Sequence, residues 1–325
     1  MQRVIVTGGS GFIGTNLVEH FLSQGVDAIN IDIAPPRCPG HAHLWRNIDV
    51  RDSRAIADVV QEVAPDYLFH LAARTDLEGK TSADYLANTD GVRNVIAAAR
   101  KWESVKRVVL ASSMLVCRVG YQPKDEFDYC PTTAYGESKV IGEMLVRENA
   151  GTRFAWCIVR PTSIWGPWFD VPYRQFFDAV RAGWYVHPRA VRVRRNYGFV
   201  LNSIFQLDCL ATAPARLVQG RTFYIADYVP VELRAWAEMI RRAFGAPPIR
   251  EVPYPLLSFL ARGGDILKAS GIRNPPLSSL RLRNLVTEAV LDLASTAEIT
   301  GPLPYGIEEG VRLTAQWMRR NSIAK

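Results

Sequence analysis

A chain of 325 residues is too long for one minimal core and suits two lobes or one large α/β domain. With 48% hydrophobic and 22% charged residues it has the balance of an ordinary soluble globular protein. The net charge of +7 suits an anionic partner, but the densest basic run, Arg189, Arg192, Arg194 and Arg195, belongs to no nucleic-acid-binding module. That argues against nucleic acid and leaves a diphosphate-bearing small molecule compatible.

The first residues, Met-Gln-Arg-Val-Ile-Val, run straight into a strand, so no signal peptide is expected. Val4 to Val6 form a short apolar strand, Phe12 to Ser23 a helix, and Ala28 to Ile31 a second strand ending at Asp32. A helix over Arg54–Val63, a strand over Tyr67–Leu71 and a long helix over Tyr85–Arg100 follow. A strand over Val108–Ala111, a helix over Ala134–Glu148 and a strand over Ala155–Val159 complete the run. Alternation of this kind predicts an α/β fold, a Rossmann-type doubly wound parallel sheet, because crossover helices force the strands parallel.

Past Arg160 proline, tryptophan and arginine become frequent and the elements shorten. Strand Phe223–Ile225, helix Val231–Phe244, a helix around Gln206–Ala213 and a terminal helix Ile307–Asn321 are expected. The apolar stretch Val252–Leu260 is too short to cross a bilayer, so no integral membrane segment is expected, although a surface-lying segment is compatible with it. Five scattered cysteines, Cys38, Cys117, Cys130, Cys157 and Cys209, without CxxC spacing fit a reducing cytoplasm. His41 and His43 have no further ligand cluster in sequence, so no metal is expected.

Thr7-Gly8-Gly9-Ser10-Gly11-Phe12-Ile13-Gly14 lies between the first strand and the first helix, the setting of a dinucleotide fingerprint. Gly8 and Gly11 permit a tight turn close to a pyrophosphate, Gly14 permits close helix packing, and the helix N-terminus offers N–H groups to phosphate. Asp32 sits where a carboxylate accepts from a ribose 2′-hydroxyl and repels a 2′-phosphate, which favours NAD over NADP. Further on, Tyr135 and Lys139 stand one helical turn apart. At about 4 Å and an effective dielectric near 20 their attraction is on the order of 4 kcal/mol, enough to pull the phenol's pKa toward neutrality.

Together with Asp49-Val50, His70-Leu71-Ala72-Ala73, Asn88 with Gly91 and Asn94, Ser112-Ser113, Arg160-Pro161 and the closing Gly301–Pro304, Ile307–Gly310 and Trp317, these motifs carry a resemblance. The whole chain resembles the extended short-chain dehydrogenase/reductases of the nucleotide-sugar epimerase/dehydratase type. The resemblance implies that residues 1–160 bind NAD, through Gly8, Gly11, Phe12, Ile13, Gly14, Asp32, Asp49, Val50, Leu71, Ala72, Ala73, Asn88, Tyr135, Lys139 and Pro161. Asp49 and Val50 would hold the adenine, Asn88 would sit near the ribose and substrate, and Pro161 beside the nicotinamide. Ser113 would hydrogen-bond the reacting oxygen, Tyr135 transfer its proton, and Lys139 lower the tyrosine pKa and hold the ribose. Residues 161–325 would form mainly a smaller C-terminal substrate-binding lobe, with some segments returning to the Rossmann core.

The substrate implied is a nucleoside-diphosphate sugar, in contact with Ser112, Ser113 and the guanidinium groups of Arg192, Arg195 and Arg283, which suit a diphosphate. A cytoplasmic homodimer through the helices containing Asn88 and Tyr135 is implied as well. Where related dehydratases carry Thr-Asp-Glu this chain has Ser113-Met114-Leu115, which disfavours elimination of water. Cys117-Arg118 stands where Tyr-Gly is common in the family, which puts the sugar-side contacts in doubt. The leading expectation is a C4 epimerase working through a transient keto-sugar. The alternatives are a sugar-nucleotide 4-keto reductase, a 3β-hydroxysteroid-dehydrogenase-like oxidoreductase, for which the apolar Tyr254–Leu260 suits a lipid-like substrate, and a non-enzymatic NAD(H) sensor. Retention of Ser113, Tyr135 and Lys139 argues against the sensor.

Overall fold

The computed structural model describes residues 2–151, 153–270 and 278–323. The first half runs β1 (Arg3–Thr7), α1 (Phe12–Ser23), β2 (Asp27–Asp32), β3 (Trp45–Asn47), α2 (Ser53–Val63), β4 (Tyr67–His70), α3 (Leu86–Lys101), β5 (Arg107–Ala111), α4 (Ala134–Asn149) and β6 (Ala155–Pro161). One seven-stranded sheet has the order Thr222–Ile225, β6, β5, β4, β1, β2, β3. All of its pairings are parallel.

The alternation of side chains along each strand decides the two layers. Ile5, Ile29, Leu68, Val108 and Ile158 face α2 and α3, meeting Val59, Val60, Val92, Val95 and Ile96. Val4, Val6, Ala28, Phe69 and Val159 face the other way, against Leu17, Val18 and Phe21 of α1 and against Ile204, Leu207 and Leu210. Each fully buried leucine, valine or phenylalanine in these layers contributes roughly 1.5–3 kcal/mol. The short β3 carries Trp45-Arg46-Asn47 with no apolar run, so sequence periodicity does not reveal it; it is held by pairing with β2 and by the Trp45 indole donating to the Asp32 carbonyl at 2.8 Å.

The second half folds back onto this frame. Its strand Thr222–Ile225 joins the sheet beside β6, and the helix Val200–Thr212 packs under it. Around them Trp165, Phe177, Tyr197, Phe199, Trp236, Ile240, Val311 and Met318 build a separate aromatic core, with Tyr197 stacked on Trp236 at 4.1 Å between centroids. Helix formation at Val231 gives way to pairing: Val231 and Glu232 join Arg195 and Arg194 antiparallel, and the helix begins at Leu233. The ring of His41 is buried, its Nε2 2.7 Å from Glu19 with Cys38 close by, which ties the segment after β2 to α1.

Asp227, beyond the last sheet strand, accepts from Asn202 Nδ2 at 2.9 Å and from the Phe199 amide at 3.3 Å, and burial pushes its carboxyl up to about 7. Between an ordinary carboxylate value near ~4 and that figure the folded chain keeps a proton that the unfolded chain has lost. Stability from this group is therefore full below the window and falls as pH rises through it. Denaturant melts should show Asp227→Asn flattening the decline seen in the wild type between about pH 5 and about pH 7.5.

Candidate active site

A cleft of about 840 Å³ opens where β1, β2, β4, β5 and β6 end, bordered by Gly8, Asp32, Leu71, Ala111 and Pro161. Such carboxyl edges are where open α/β sheets bind ligands. Gly8 takes φ +74°, and a Cβ on it would fall 2.6 Å from the Ala72 nitrogen. A Cβ on Gly14 would fall 2.1 Å from the Gly8 carbonyl oxygen, so only glycine lets α1 start this close to the loop. No side chain caps α1, whose residues Phe12, Ile13 and Gly14 line the cleft, leaving first-turn N–H groups for an anion. The Asp32 carboxylate accepts from the Ser10 amide at 3.1 Å and the Ala34 amide at 3.0 Å and is held at the cleft wall. A cradle that any Cβ would fill, with a carboxylate at its far end, fits a dinucleotide.

The neighbouring turns are pinned from α3. Asn94 donates to the Val50 and Arg51 carbonyls at 3.0 and 2.9 Å. Asp49 borders the cleft beside Arg51, whose hydrogen bonds, opposed by partial burial, hold its carboxyl below the usual range. The Thr7 hydroxyl accepts from the Ala72 amide at 3.3 Å and shares a hydrogen bond with His70 Nδ1, 2.7 Å away. Burial, and then the Lys139 charge, push His70 down to about 3, so the ring is neutral and the Leu71-Ala72-Ala73 turn keeps a fixed hydrogen-bond pattern.

Asn88 does not border the cleft. Its side chain accepts from the Arg74 amide at 2.9 Å and donates to the Arg74 carbonyl at 3.0 Å and to Ser138 Oγ at 2.9 Å. The expectation of a ribose or substrate contact is corrected: every polar atom of this buried amide is spent on joining the turn after β4 to α4.

Ser112, Ser113, Tyr135, Lys139 and Pro161 converge on one end of the cleft. Ser113 leaves β5 and accepts from the Leu115 amide at 3.1 Å, while Thr133 caps α4 by accepting from the Gly136 amide at 3.0 Å and so sets where Tyr135 points. The Ser112 hydroxyl is buried without a partner at this wall, a spare donor and acceptor for a bound molecule. Lys139 donates to the Ala111 carbonyl at 2.9 Å and lies 6.0 Å from the Tyr135 ring centroid. The expected downward pull on the phenol is corrected. Burial pushes Tyr135 up, the Ser113 hydroxyl pulls it down, and Tyr85 pushes it up again. Desolvation sets the direction; the Lys139 ammonium is turned onto the Ala111 carbonyl and is itself lowered to about 8 by burial, opposed by Glu143.

Glu143, one turn below Lys139, was not among the sequence candidates. It pairs with Arg160 at 2.8 Å, both fully buried, and accepts from Tyr129 Oη at 2.8 Å. The i, i+4 spacing to Lys139 and the position of Arg160 beside Pro161 were the available signals. Tyr85 also packs edge-on to Tyr135, and Thr162, Ile164 and Tyr173 complete the same end of the cleft.

None of the three expected diphosphate arginines borders the cleft. Arg192 and Arg283 are exposed, and Arg195 gives two hydrogen bonds to the Thr287 carbonyl at 3.1 and 2.7 Å. Arginines 37, 51 and 74 line it instead, and each has partners. Arg37 donates to the Ser10 and Trp168 carbonyls, Arg51 pairs with Asp49, and Arg74 pairs with Asp76. Trp165, Tyr197 and Asn202 lie in the core of this half.

Fold and cleft define a dinucleotide-binding enzyme of the extended short-chain dehydrogenase/reductase type. The chain belongs to the NAD dependent epimerase/dehydratase family, which it matches over residues 4–226, and it is NAD-dependent. It is 28% identical to a 3-beta-hydroxysteroid dehydrogenase of Mycolicibacterium neoaurum, over 94% of this chain and 87% of that protein. It is 24% identical to an N-acetyl-alpha-D-glucosaminyl-diphospho-ditrans,octacis-undecaprenol 4-epimerase of Escherichia coli O157:H7, over 97% and 95%. The crystal structure of a UDP-glucose 4-epimerase from Thermotoga maritima superposes with TM-score 0.74 at 19% identity, over 99% of this chain and 100% of that one.

Proposed function

We propose that this enzyme transfers hydride between NAD and a secondary alcohol or ketone carried on a lipid-like molecule, with net oxidation or reduction. The observation that carries this reading is the reacting end of the cleft. Ser112, Ser113, Tyr135, Thr162, Ile164 and Tyr173 meet there, and Lys139 is the one cation among them. A second diphosphate is best matched by guanidinium groups. Arginines 192, 195 and 283 stand elsewhere, and among the described residues the three arginines that line the cleft are engaged. The Mycolicibacterium neoaurum relative acts, by name, on a hydroxysteroid, a lipid with a secondary alcohol.

The cofactor, when bound, accepts or supplies the hydride. Ser113 Oγ would donate to the substrate oxygen and hold it against Tyr135 Oη, and the phenol would give or take the proton as the carbon changes oxidation state. Lys139 would turn from the Ala111 carbonyl toward the cofactor ribose, its charge sustained by Glu143. With Met114 and Leu115 in place of carboxylates, elimination of water has no acid or base at this position.

C4 epimerisation of a nucleotide sugar is the second reading, favoured by the match to the epimerase family. Incubation with NAD and a panel of 3β-hydroxysteroids and UDP-hexoses separates them: NADH fluorescence should grow with a hydroxysteroid and not with UDP-glucose. Interconversion of UDP-glucose and UDP-galactose without net NADH would sink the oxidoreductase reading. Replacing Asp32 with Ala should erode the preference for NAD over NADP by roughly tenfold, about 1.4 kcal/mol, since the carboxylate is the group facing a 2′-phosphate. An unchanged ratio of kcat/KM values would remove that role.

The reading includes a cytoplasmic homodimer through α3 and α4. Ile141 and Met144 are exposed on the outer face of α4 and supply apolar surface for the contact. Sedimentation velocity should show a dimer that Ile141→Lys with Met144→Lys converts to monomer.

A further inference from the structure

The helix Tyr254–Ala269 is apolar on two opposite sides. Inward, Leu257 and Ala261 pack with Leu282 against Val186, Val252 and Val286. Outward, Leu256, Phe259, Leu260, Ile266 and Leu267 are exposed, Phe259 at 70% and Ile266 at 71%. At about 100° per residue these five, with the exposed Gly263 between them, fall in one arc of roughly 120° that holds no charged residue. A helix face of this kind marks a surface that something covers.

We infer that this face lies on an anionic lipid bilayer, holding the substrate lobe at the membrane surface. The rim decides between occupants. Exposed Arg262 stands at the margin of the arc, with exposed Arg250 on the strand before the helix and exposed Arg283 on the helix beside it. Of the acidic groups nearby, Glu251 faces Arg234 at 3.7 Å and Asp265 turns inward to accept from the Ser279 amide at 3.0 Å. A basic rim around an uncharged apolar stripe suits anionic headgroups over acyl chains. A second copy of the same patch would set the same arginines against each other, because a two-fold contact is self-complementary. The segment after the neighbouring helix packs on the loop leaving Ser113: a Cβ on Gly120 would lie 2.7 Å from Thr287 Cγ2, and Gln122 donates to the Val290 carbonyl. The inference stands on the geometry of this helix and its rim, whichever substrate the cleft takes.

Flotation with vesicles tests it. The wild type should float with vesicles of equal phosphatidylcholine and phosphatidylglycerol, and far less with phosphatidylcholine alone. Phe259→Asp with Ile266→Asp should reduce the floated fraction by on the order of tenfold, while Phe259→Leu keeps it. Both positions are exposed, so far-UV circular dichroism and NAD affinity should stay as in the wild type. Failure of the wild type to float, flotation indifferent to phosphatidylglycerol, or equal flotation of the double variant overturns the inference. So does a drop in solution mass in the double variant without lipid, which would assign the face to a second copy.

Discussion

Tyr135→Phe is expected to lower kcat by about 10²–10⁴-fold, the usual weight of one positioned proton-transfer group, while NAD affinity stays within roughly threefold. The variant deletes one oxygen from a ring that keeps its packing against Tyr85, so the fold should not respond. Stopped-flow turnover and an NAD titration measure the two halves, and wild-type-like turnover would sink the mechanism. Burial raises the phenol, so it holds its proton at neutral pH in the structure described here. Oxidation then needs a bound cofactor whose positive charge, with Lys139 brought round to it, favours phenolate. The wild type should accordingly oxidise faster as pH rises, and Tyr135→Phe should lose that dependence together with its rate.

The second large effect is expected at Arg160 and Glu143. Arg160 donates to Glu143 through Nε at 2.9 Å and Nη2 at 2.8 Å, gives a further bond to the Glu126 carbonyl at 2.6 Å, and lies over the rings of Tyr129 and Tyr224. Removing one member of a buried pair leaves an uncompensated charge and costs about 3–5 kcal/mol. Arg160→Leu should therefore lose that much in denaturant melts, while Arg160→Leu combined with Glu143→Leu should recover a good part of it. A cost below ~1 kcal/mol for the single variant would show that water reaches the pair. Glu143→Gln adds a readout that packing alone does not move. Lys139 loses the charge that opposes its desolvation, so its pKa should fall further below about 8. The alkaline limb of the pH–rate profile, where Lys139 loses its charge, should move to lower pH with it.

Much of the cofactor half was legible because its requirements are local. Gly8 and Gly14 stand where a side chain has no room, Asp32 ends a strand, and Tyr135 and Lys139 share one helix face, so spacing along the chain already brings them near one another. Elements whose apolar residues repeat with a clear period, such as α1 and α4, were read with boundaries within a residue of those observed. The short β3 was not, because pairing with β2 and one indole hydrogen bond hold it in place without any apolar pattern of its own.

What a polar side chain faces is decided by distant segments. Asn88 resembled a ligand contact in the sequence, yet its amide is consumed by Arg74 and Ser138. Arginines 192, 195 and 283 looked equally able to meet a diphosphate, yet the Thr287 carbonyl takes Arg195 and the other two point to solvent. The sequence by itself determined the sheet, the glycine cradle and the Ser113, Tyr135 and Lys139 group, since these follow from short-range periodicity and sterics. Only the tertiary structure decided that burial outweighs the lysine's pull on the phenol, that Glu143 opposes the desolvation of that lysine, and that an apolar helix face is left outward. Desolvation and exposure depend on everything packed around a group, and spacing along a chain does not encode that.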